Sequence, residues 1–276
     1  MGTLYVVATP IGNLEDVTLR ALRVLGEADL VCAEDTRRTR TLLSRFNLEA
    51  RLLSLHAHNE ASKVAKVLEV LEGEGRVALV SDAGMPLLCD PGQRLVAAAI
   101  EAGFVVETVP GPSAILAALS ISGLKTQPFT FVGYLPRREA ARRTLIEAHR
   151  DRPETLVCFE SPRRVAGALA DLRDVLGARR ACVARELTKL HEETARGDLA
   201  ELAARFEGDQ KGEFTLVIEG ASRGEGTLDW PEVEALIRDL LAAGDRPREI
   251  AAELAATTGQ PKRALYARAV ALQAAL

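Results

Sequence analysis

The sequence predicts a two-domain α/β protein, with a parallel-rich first sheet and a mixed second sheet, followed by a small helical module. Three observations carry that prediction. Through the first 121 residues, short apolar runs alternate with segments of helical period, the pattern of a largely parallel sheet. Beyond Gly123 the alternation loosens into strands and helices that suit a mixed sheet with antiparallel neighbours. After Glu219 comes GASRGEGTLDWP, a Gly-rich polar linker, and then three helical segments. The 276 residues thus divide into an N-terminal α/β domain over 1–124, a second over 125–221 and a helical module over 228–276.

The elements follow from local pattern. Leu4–Ala8, Leu30–Ala33 and Val77–Val80 are apolar runs too short for helices and read as buried strands. Arg51–Leu55 and Val105–Val109 are β-like by composition. Between them, Val17–Ala28, Thr39–Phe46, Ala61–Glu72 and Gln93–Ala102 have helical period, the third stopped by Gly73. Asp90-Pro91-Gly92 reads as an N-cap and first-turn proline for the helix at Gln93. Pro112–Ile121 is a small-residue helix closed by Gly123. In the second domain, Phe129–Gly133, Leu156–Phe159, Ala181–Ala184 and Phe214–Glu219 read as strands, and Glu139–His149, Arg164–Leu176 and Leu199–Phe206 as helices. The module comprises Pro231–Ala243, Arg248–Ala256 and Lys262–Leu276, an arrangement compatible with a helix-turn-helix.

Composition narrows the classes. Hydrophobic residues make up 47% and charged residues 27%, as in a soluble globular protein. The most apolar stretch, Leu95–Val106, is broken by Glu101 and falls short of the roughly 20 residues a membrane span needs. MGTLYVVATP has no basic n-region and reads as a strand start, so a cytoplasmic protein without a membrane partner is expected. Cys32, Cys89, Cys158 and Cys182 contain no CxxC pair and read as reduced core or near-core thiols. A net charge of −4 argues against non-specific coating of nucleic acid. Arginines nevertheless cluster at 37, 38 and 40, at 137, 138, 142 and 143, and at 163 and 164. Any single cluster reads as a solvated helix face paired with nearby acids, whereas several of them near strand-to-helix loops point toward a polyanionic substrate.

The chemistry-bearing residues collect at strand ends. In an open α/β sheet, ligands bind beyond the carboxyl ends of the strands. Those ends carry TPIGNL (9–14), AEDTR (33–37), HAHNE (56–60), SDAGMP (81–86) and PGPSA (110–114), more punctuation than turns alone require. No GxGxxG follows the first strand and no GxxxxGK[ST] loop is present, which sets aside Rossmann dehydrogenases and P-loop NTPases. Gly12, Gly84 and Gly111 remove side-chain bulk where a ligand could approach the backbone. His56 and His58 lack a clear third ligand, so no metal is expected, and no GxSxG elbow supports a hydrolase. Asp35-Thr36-Arg37, Glu160-Ser161-Pro162-Arg163-Arg164 and Arg185-Glu186-Leu187-Thr188-Lys189 each end a strand in acid and base together.

TPIGNLEDVTLRAL, AEDTRRT, LHAHNE, ALVSDAGMPLLCDPG, VPGPSA, FVGYLP, FESPRR, ARELTKLHEE and KGEF, in that order over residues 4–219, resemble the ribosomal RNA small-subunit methyltransferase I family of the tetrapyrrole methylase class. The C-terminal helices look like that family's appended module. Met85 departs from the threonine common in SDAGTP-type loops. The resemblance implies a two-domain tetrapyrrole-methylase-like fold, S-adenosyl-L-methionine as cofactor, a homodimer, and methyl transfer to a cytidine ribose 2′-oxygen in the decoding region. Its partner would be small-subunit ribosomal RNA or the assembled subunit. Cofactor contacts would fall on Pro10, Asp82, Ala83, Gly84, Met85, Pro112, Ser113, Phe159, Glu160, Leu187, Glu213 and Phe214.

A ribose hydroxyl needs its proton drawn off, and the candidate bases are Asp35, Glu60 and Glu186, with Lys189 if its pKa is depressed. Arg37, Arg163 and Arg185 could hold RNA phosphates. Two other readings share the fold. A tetrapyrrole-precursor methylase would carry a glycine-rich first loop in place of TPIGNL, and a non-catalytic RNA-binding factor could lose Asp35, Asp82, Gly84, Gly111 and Glu186.

Overall fold

Two five-stranded sheets bring the strand ends into one place. The computed structural model describes residues 1–221, 230–258 and 260–274, so most of the GASRGEGTLDWP linker and the last two residues of the expected final helix lie outside the described residues. Two compact units are formed, Met1–Glu147 with Thr155–Glu219, and Ala148–Glu154 with Gly220–Leu276. Both sheets belong to the first unit.

The first sheet has order β3-β2-β4-β1-β5 and is wholly parallel: β1 Thr3–Val7, β2 Leu30–Ala33, β3 Leu52–Ser54, β4 Arg76–Val80 and β5 Val105–Val109. Every residue of β2 is buried, and so is all of β4 after Arg76, because helices cover both faces. On one face α1 (Leu19–Glu27) and α2 (Thr36–Arg45) pack Ala21, Val24, Leu25, Leu42 and Leu43 against Val7, Val31 and Val80. On the other, α3 (Glu60–Glu72) and α4 (Gln93–Glu101) pack Val67, Leu71, Leu95 and Ala99 against Leu4, Leu30, Cys32 and Leu79.

The second sheet has order β6-β7-β10-β8-β9, in which only the β6–β7 pair is parallel: β6 Phe129–Tyr134, β7 Thr155–Glu160, β8 Arg180–Arg185, β9 Glu193–Asp198 and β10 Phe214–Ile218. Helices α6 (Glu139–Glu147), α7 (Val165–Leu176) and α8 (Leu199–Arg205) cover one face. The other face is covered by α5 (Ala114–Ile121), whose Ile115, Ala118 and Leu119 pack on Val157, Cys182 and Val217. A helix that follows the last strand of the first sheet therefore completes the core of the second.

Local chemistry moves several boundaries. The Asp35 carboxylate accepts from the Arg37 N–H as N-cap, so α2 starts at Thr36 and not Thr39. Ser113 caps α5, which starts at Ala114 and not Pro112. β9 was not expected, since ETARGD buries only Ala195 and lies at the sheet edge. Cys32, Cys158 and Cys182 are buried, but Cys89 is exposed: its backbone sits at φ +77° in a loop that leaves the core.

In the second unit, α9 (Trp230–Ala242), α10 (Pro247–Thr257) and α11 (Lys262–Gln273) close around Val233, Ile237, Ile250, Leu254 and Leu265. Glu234 of α9 accepts from Arg238 on its own helix and from Arg268 on α11. No helix among the described residues is long and apolar enough to cross a membrane.

The arginines of α6 hold the second sheet's helical layer together. Asp171 of α7 accepts from Arg142 Nε at 2.6 Å and Arg143 Nη1 at 2.7 Å, with its side chain 7% exposed and that of Arg142 11%. Asp171→Ala leaves the Arg142 guanidinium buried without a partner, and a loss of about 3–5 kcal/mol is expected in denaturant unfolding.

Candidate active site

The chain leaving β1 and the loop leaving β4 are stitched together by their backbones. Thr9 N donates to Gly84 O at 2.9 Å, and Gly84 N donates to Thr9 O at 3.0 Å. Thr9 Oγ1 donates to Ser81 O, and Ser81 Oγ lies within reach of the Ala83 and Gly84 carbonyls. Gly84 takes φ +81°, where a Cβ would also press on Ile11 Cγ2 at 3.3 Å and Pro112 O at 3.4 Å. Leu87 and Cys89 also take positive φ, a conformation that costs an ordinary residue about 1–2 kcal/mol. Such strain persists where surrounding structure over-determines it, and it is common around ligand sites.

Across from this loop, residues of the second sheet close the other wall. Gly12 lies so near the turn after β8 that a Cβ would meet Lys189 Cγ at 2.5 Å and Leu187 O at 2.9 Å. That turn carries Glu186 at φ +51° and Thr188 at φ +66°, and Thr188 Oγ1 is buried without a hydrogen-bond partner. Gly133, at φ +71° where the β6–β7 register shifts, would meet Cys89 Sγ at 3.2 Å if it had a Cβ.

Two adjoining cavities occupy the space between these walls. One, of about 260 Å³, is lined by Thr9, Pro10, Gly12, Thr39 and Lys189 among others. The second, of about 220 Å³, is lined by Cys89, Asp90, Tyr134, Phe159, Leu187 and Phe214 among others. Ile11, Arg38, Asp82, Ala83 and Glu213 line both. The Phe159 ring stands 5.0 Å from that of Phe131 and 5.5 Å from that of Tyr134, giving the second cavity an aromatic side.

Of the residues expected at the cofactor, Pro10, Asp82, Ala83, Phe159, Leu187, Glu213 and Phe214 line these cavities. Gly84 and Pro112 stand behind the wall in mutual contact range. Met85, Ser113 and Glu160 are not among the lining residues. Ser113 is occupied as the α5 cap, and Glu160 is buried, accepting from Arg164 Nη2 at 2.5 Å and Ser161 N at 2.6 Å. Its second oxygen, Oε2, has no partner.

The expected bases are differently employed. Asp35 accepts from Arg37 through Nε at 3.0 Å, Nη2 at 2.6 Å and the backbone N–H, and these bonds hold its carboxyl down at about 2. Glu60 is buried, with Oε1 accepting from Arg94 N at 2.7 Å and Leu95 N at 3.2 Å. It therefore caps α4 from the neighbouring helix. Asp90, read as that cap from sequence, is not: the N-cap is Gly92, and α4 has no side-chain cap of its own.

Glu186 Oε1 accepts from Lys189 Nζ at 2.8 Å and Glu213 N at 2.9 Å, and the ammonium holds its carboxyl below the usual range. Burial alone would lower the Lys189 pKa, but Glu186 and Glu213 together raise it, so the depressed value that a lysine base requires is not found.

The expected phosphate ligands are also partly committed. Arg37 is 85% exposed but paired with Asp35, Arg163 is exposed, and Arg185 donates to Lys211 O at 2.7 Å and lies over the Phe214 ring.

Two functional candidates were missed. Arg38 lines both cavities, 61% exposed and 3.6 Å from Asp82. Asp90 lines the second cavity and forms no ion pair among the described residues. Burial, then the nearby Glu34 charge, push its carboxyl up to about 6, against a hydrogen bond from Ser81; Asp82 adds to the rise. Burial and the Asp82 charge raise Glu34 as well. The signal for Asp90 was present in the doubled punctuation of SDAGMPLLCDPG, where one aspartate suffices for a turn.

Comparison with known proteins follows the same lines. The family model for tetrapyrrole (corrin/porphyrin) methylases matches residues 3–203, and that for the RsmI C-terminal HTH domain matches 227–273. A relative named ribosomal RNA small subunit methyltransferase I from Micromonospora olivasterospora is 46% identical over 96% of this chain and 85% of its own length. One of the same name from Pseudomonas aeruginosa is 44% identical over 99% and 98%. A third, from Thermotoga maritima, is 44% identical over 80% of this chain and 99% of its own length, so it does without about a fifth of this chain.

Among solved structures, the methyltransferase CobJ superimposes with a TM-score of 0.62 at 18% identity, covering 80% of this chain and 95% of that one. Diphthine synthase superimposes with 0.59 at 16%, covering 80% and 90%. These two share the fold. The relatives and the matched models show that the chain belongs to the tetrapyrrole methylase family and, within it, to the ribosomal RNA small subunit methyltransferase I group.

Proposed function

We propose that the protein is an S-adenosylmethionine-dependent methyltransferase that methylates the 2′-oxygen of a cytidine ribose in the decoding region of small-subunit ribosomal RNA. The observation that carries this is the paired cavity, whose walls come jointly from the SDAGMP loop and from Phe159, Leu187, Glu213 and Phe214. The names of relatives 42–46% identical to this chain supply the substrate class. A homodimer acting in the cytoplasm belongs to the same family expectation.

The cleft fits the cofactor. Two adjoining cavities of about 260 and 220 Å³ lie on the scale of ligand pockets, roughly 300–1,000 Å³ when taken together. Phe159 and Tyr134 offer aromatic surface to a purine, and Asp82 and Glu213 offer carboxylates to hydroxyl and ammonium groups. When bound, the cofactor supplies a methyl group from its sulfonium.

The protein's own part is alignment and proton removal, since in-line displacement depends on holding the oxygen close and correctly directed. Asp90 is the base we assign. Its carboxylate faces the cavity, takes a hydrogen bond from Ser81 and has no cation to hold it ionised, whereas Asp82 has Arg38 and Glu213 has Lys189. Arg38, half exposed at the mouth of both cavities, is placed to meet a phosphate.

Three outcomes are expected. Transfer of tritiated methyl groups to purified small subunits, followed by nucleoside analysis, should yield 2′-O-methylcytidine; a methylated base in its place overturns the reaction class.

Asp90→Asn should lower kcat by about 10²–10⁴-fold, the usual contribution of a general base, while calorimetric cofactor affinity stays within about threefold. Because the raised carboxyl is protonated as pH falls through about 6, wild-type kcat should drop on that acid side and level off above it. An acid limb persisting unchanged in the asparagine variant would remove Asp90 from the role.

Glu60→Ala should cost about 1–2 kcal/mol of stability by uncapping α4, with kcat unchanged below the melting range.

A further inference from the structure

The helical module presents a surface that methyl transfer leaves unused. Thr258 Oγ1 donates to Leu254 O at 2.6 Å at the end of α10, and Leu265 N donates to Pro261 O at 3.0 Å in the first turn of α11. The first residues of α11 lie beside the start of α10. Arg248 of α10 and Lys262, Arg263 and Tyr266 of α11 surround an open hollow of about 550 Å³, with buried Ala251 beneath.

All four surrounding side chains are exposed, Tyr266 at 48%. Arg248, Lys262 and Arg263 form no ion pair among the described residues. The acids of the module that have partners are turned to other work: Glu234 pairs with Arg238 and Arg268, and Glu249 accepts from Arg246 N at the start of α10. A chain of net charge −4 thus leaves three cations unneutralised around one exposed aromatic ring.

Cations around a groove hold a polyanionic backbone, and an aromatic face among them holds an unstacked base. The first turn of the second helix in such a pair is also where nucleic-acid contacts concentrate.

We propose that Arg248, Lys262, Arg263 and Tyr266 form a binding site for single-stranded RNA, the three cations on successive phosphates and the tyrosine ring on a base. This rests on the RNA-methyltransferase function proposed above and adds a second point of attachment for the substrate, made of none of the residues assigned to chemistry. Its contribution is therefore to substrate affinity and not to the methyl-transfer step.

The test uses the full chain, with fluorescein-labelled single-stranded RNA, the corresponding duplex, and purified small ribosomal subunits. The Arg248→Ala, Lys262→Ala and Arg263→Ala triple variant should bind the single strand at least tenfold more weakly. Its plot of log affinity against log salt should be shallower by about two, at roughly 0.7 for each phosphate that is no longer neutralised. On subunits, KM should rise while kcat and calorimetric cofactor affinity hold. Tyr266→Ala should weaken single-strand binding by about fivefold or more, the scale of one stacked base, and spare the duplex.

Unchanged RNA affinity, salt slope and KM in folded variants would overturn the site, and so would a loss confined to kcat. Should the triple variant fail to fold, Lys262→Gln with Tyr266→Ala carries the same expectations at smaller scale. Wild-type turnover separates the two levels. If wild-type protein methylates subunits and the variants match it, only this site is wrong; if wild-type protein does not, the RNA-methyltransferase function falls and the site with it.

Discussion

The two backbone hydrogen bonds between Thr9 and Gly84 organise the site. They join the exit of β1 to the exit of β4, the two adjacent central strands of the first sheet, at 2.9 and 3.0 Å. Because strands in a parallel sheet all end on the same edge, a link there turns two loops into one wall. With it in place, Asp82 and Ala83 are held at the cavities, Asp82 accepts from Asp35 N at 2.9 Å, and Ile11 and Gly12 are carried against the turn after β8. Gly84 suits glycine chiefly for its positive φ, with Ile11 Cγ2 leaving a Cβ slightly crowded at 3.3 Å.

That wall also explains an exchange of roles between two acids. Glu60 follows a histidine-rich strand end and looks like chemistry, yet it is buried and accepts from two of the N-terminal amides of α4. Asp90 precedes a proline and looks like a cap, yet the chain turns at Gly92 with φ +121°, leaving the aspartate at the cavity. One carboxylate relieves the other of the capping task. The released aspartate is then partly buried, near Glu34 and Asp82 and without a cation; burial first and the neighbouring acids second raise its carboxyl into the range useful to a base.

Much of the fold was legible because apolar period survives in the strands. Leu30–Ala33 and Val105–Val109 read with their true bounds, the first as an apolar run between Asp29 and Glu34. β9 was illegible because an edge strand over ETARGD has one buried side chain and no alternation to betray it. The start of α2 was missed because capping by Asp35 adds a polar turn ahead of the apolar stripe. At the site, sequence located the loops but not the tasks within them. Acid and base at a strand end look alike whether they face a ligand or each other. Asp35 with Arg37, Glu186 with Lys189 and Glu160 with Arg164 face each other.

The same ambiguity governs the basic residues, and resolving it separates structure from recognition. Arg142 and Arg143 are consumed by Asp171, Arg164 by Glu160 and the Leu135 carbonyl, and Arg185 by Glu193 and the Lys211 carbonyl. An arginine so held has already exchanged its water for protein acceptors, so little is gained by offering it a phosphate. Arg38 at the cleft is only loosely drawn to Asp82, and the trio Arg248, Lys262 and Arg263 in the helical module forms no ion pair among the described residues. Counting arginines in the sequence overstates the anion-binding surface several-fold. Among the cations not so held, Arg38 lines the cavities and the trio lines the hollow of the helical module, positions that suit the reacting nucleotide and the strand that carries it. A net negative chain binds a polyanion only through such a local surplus, and its position, not the overall charge, sets which part of the substrate is held.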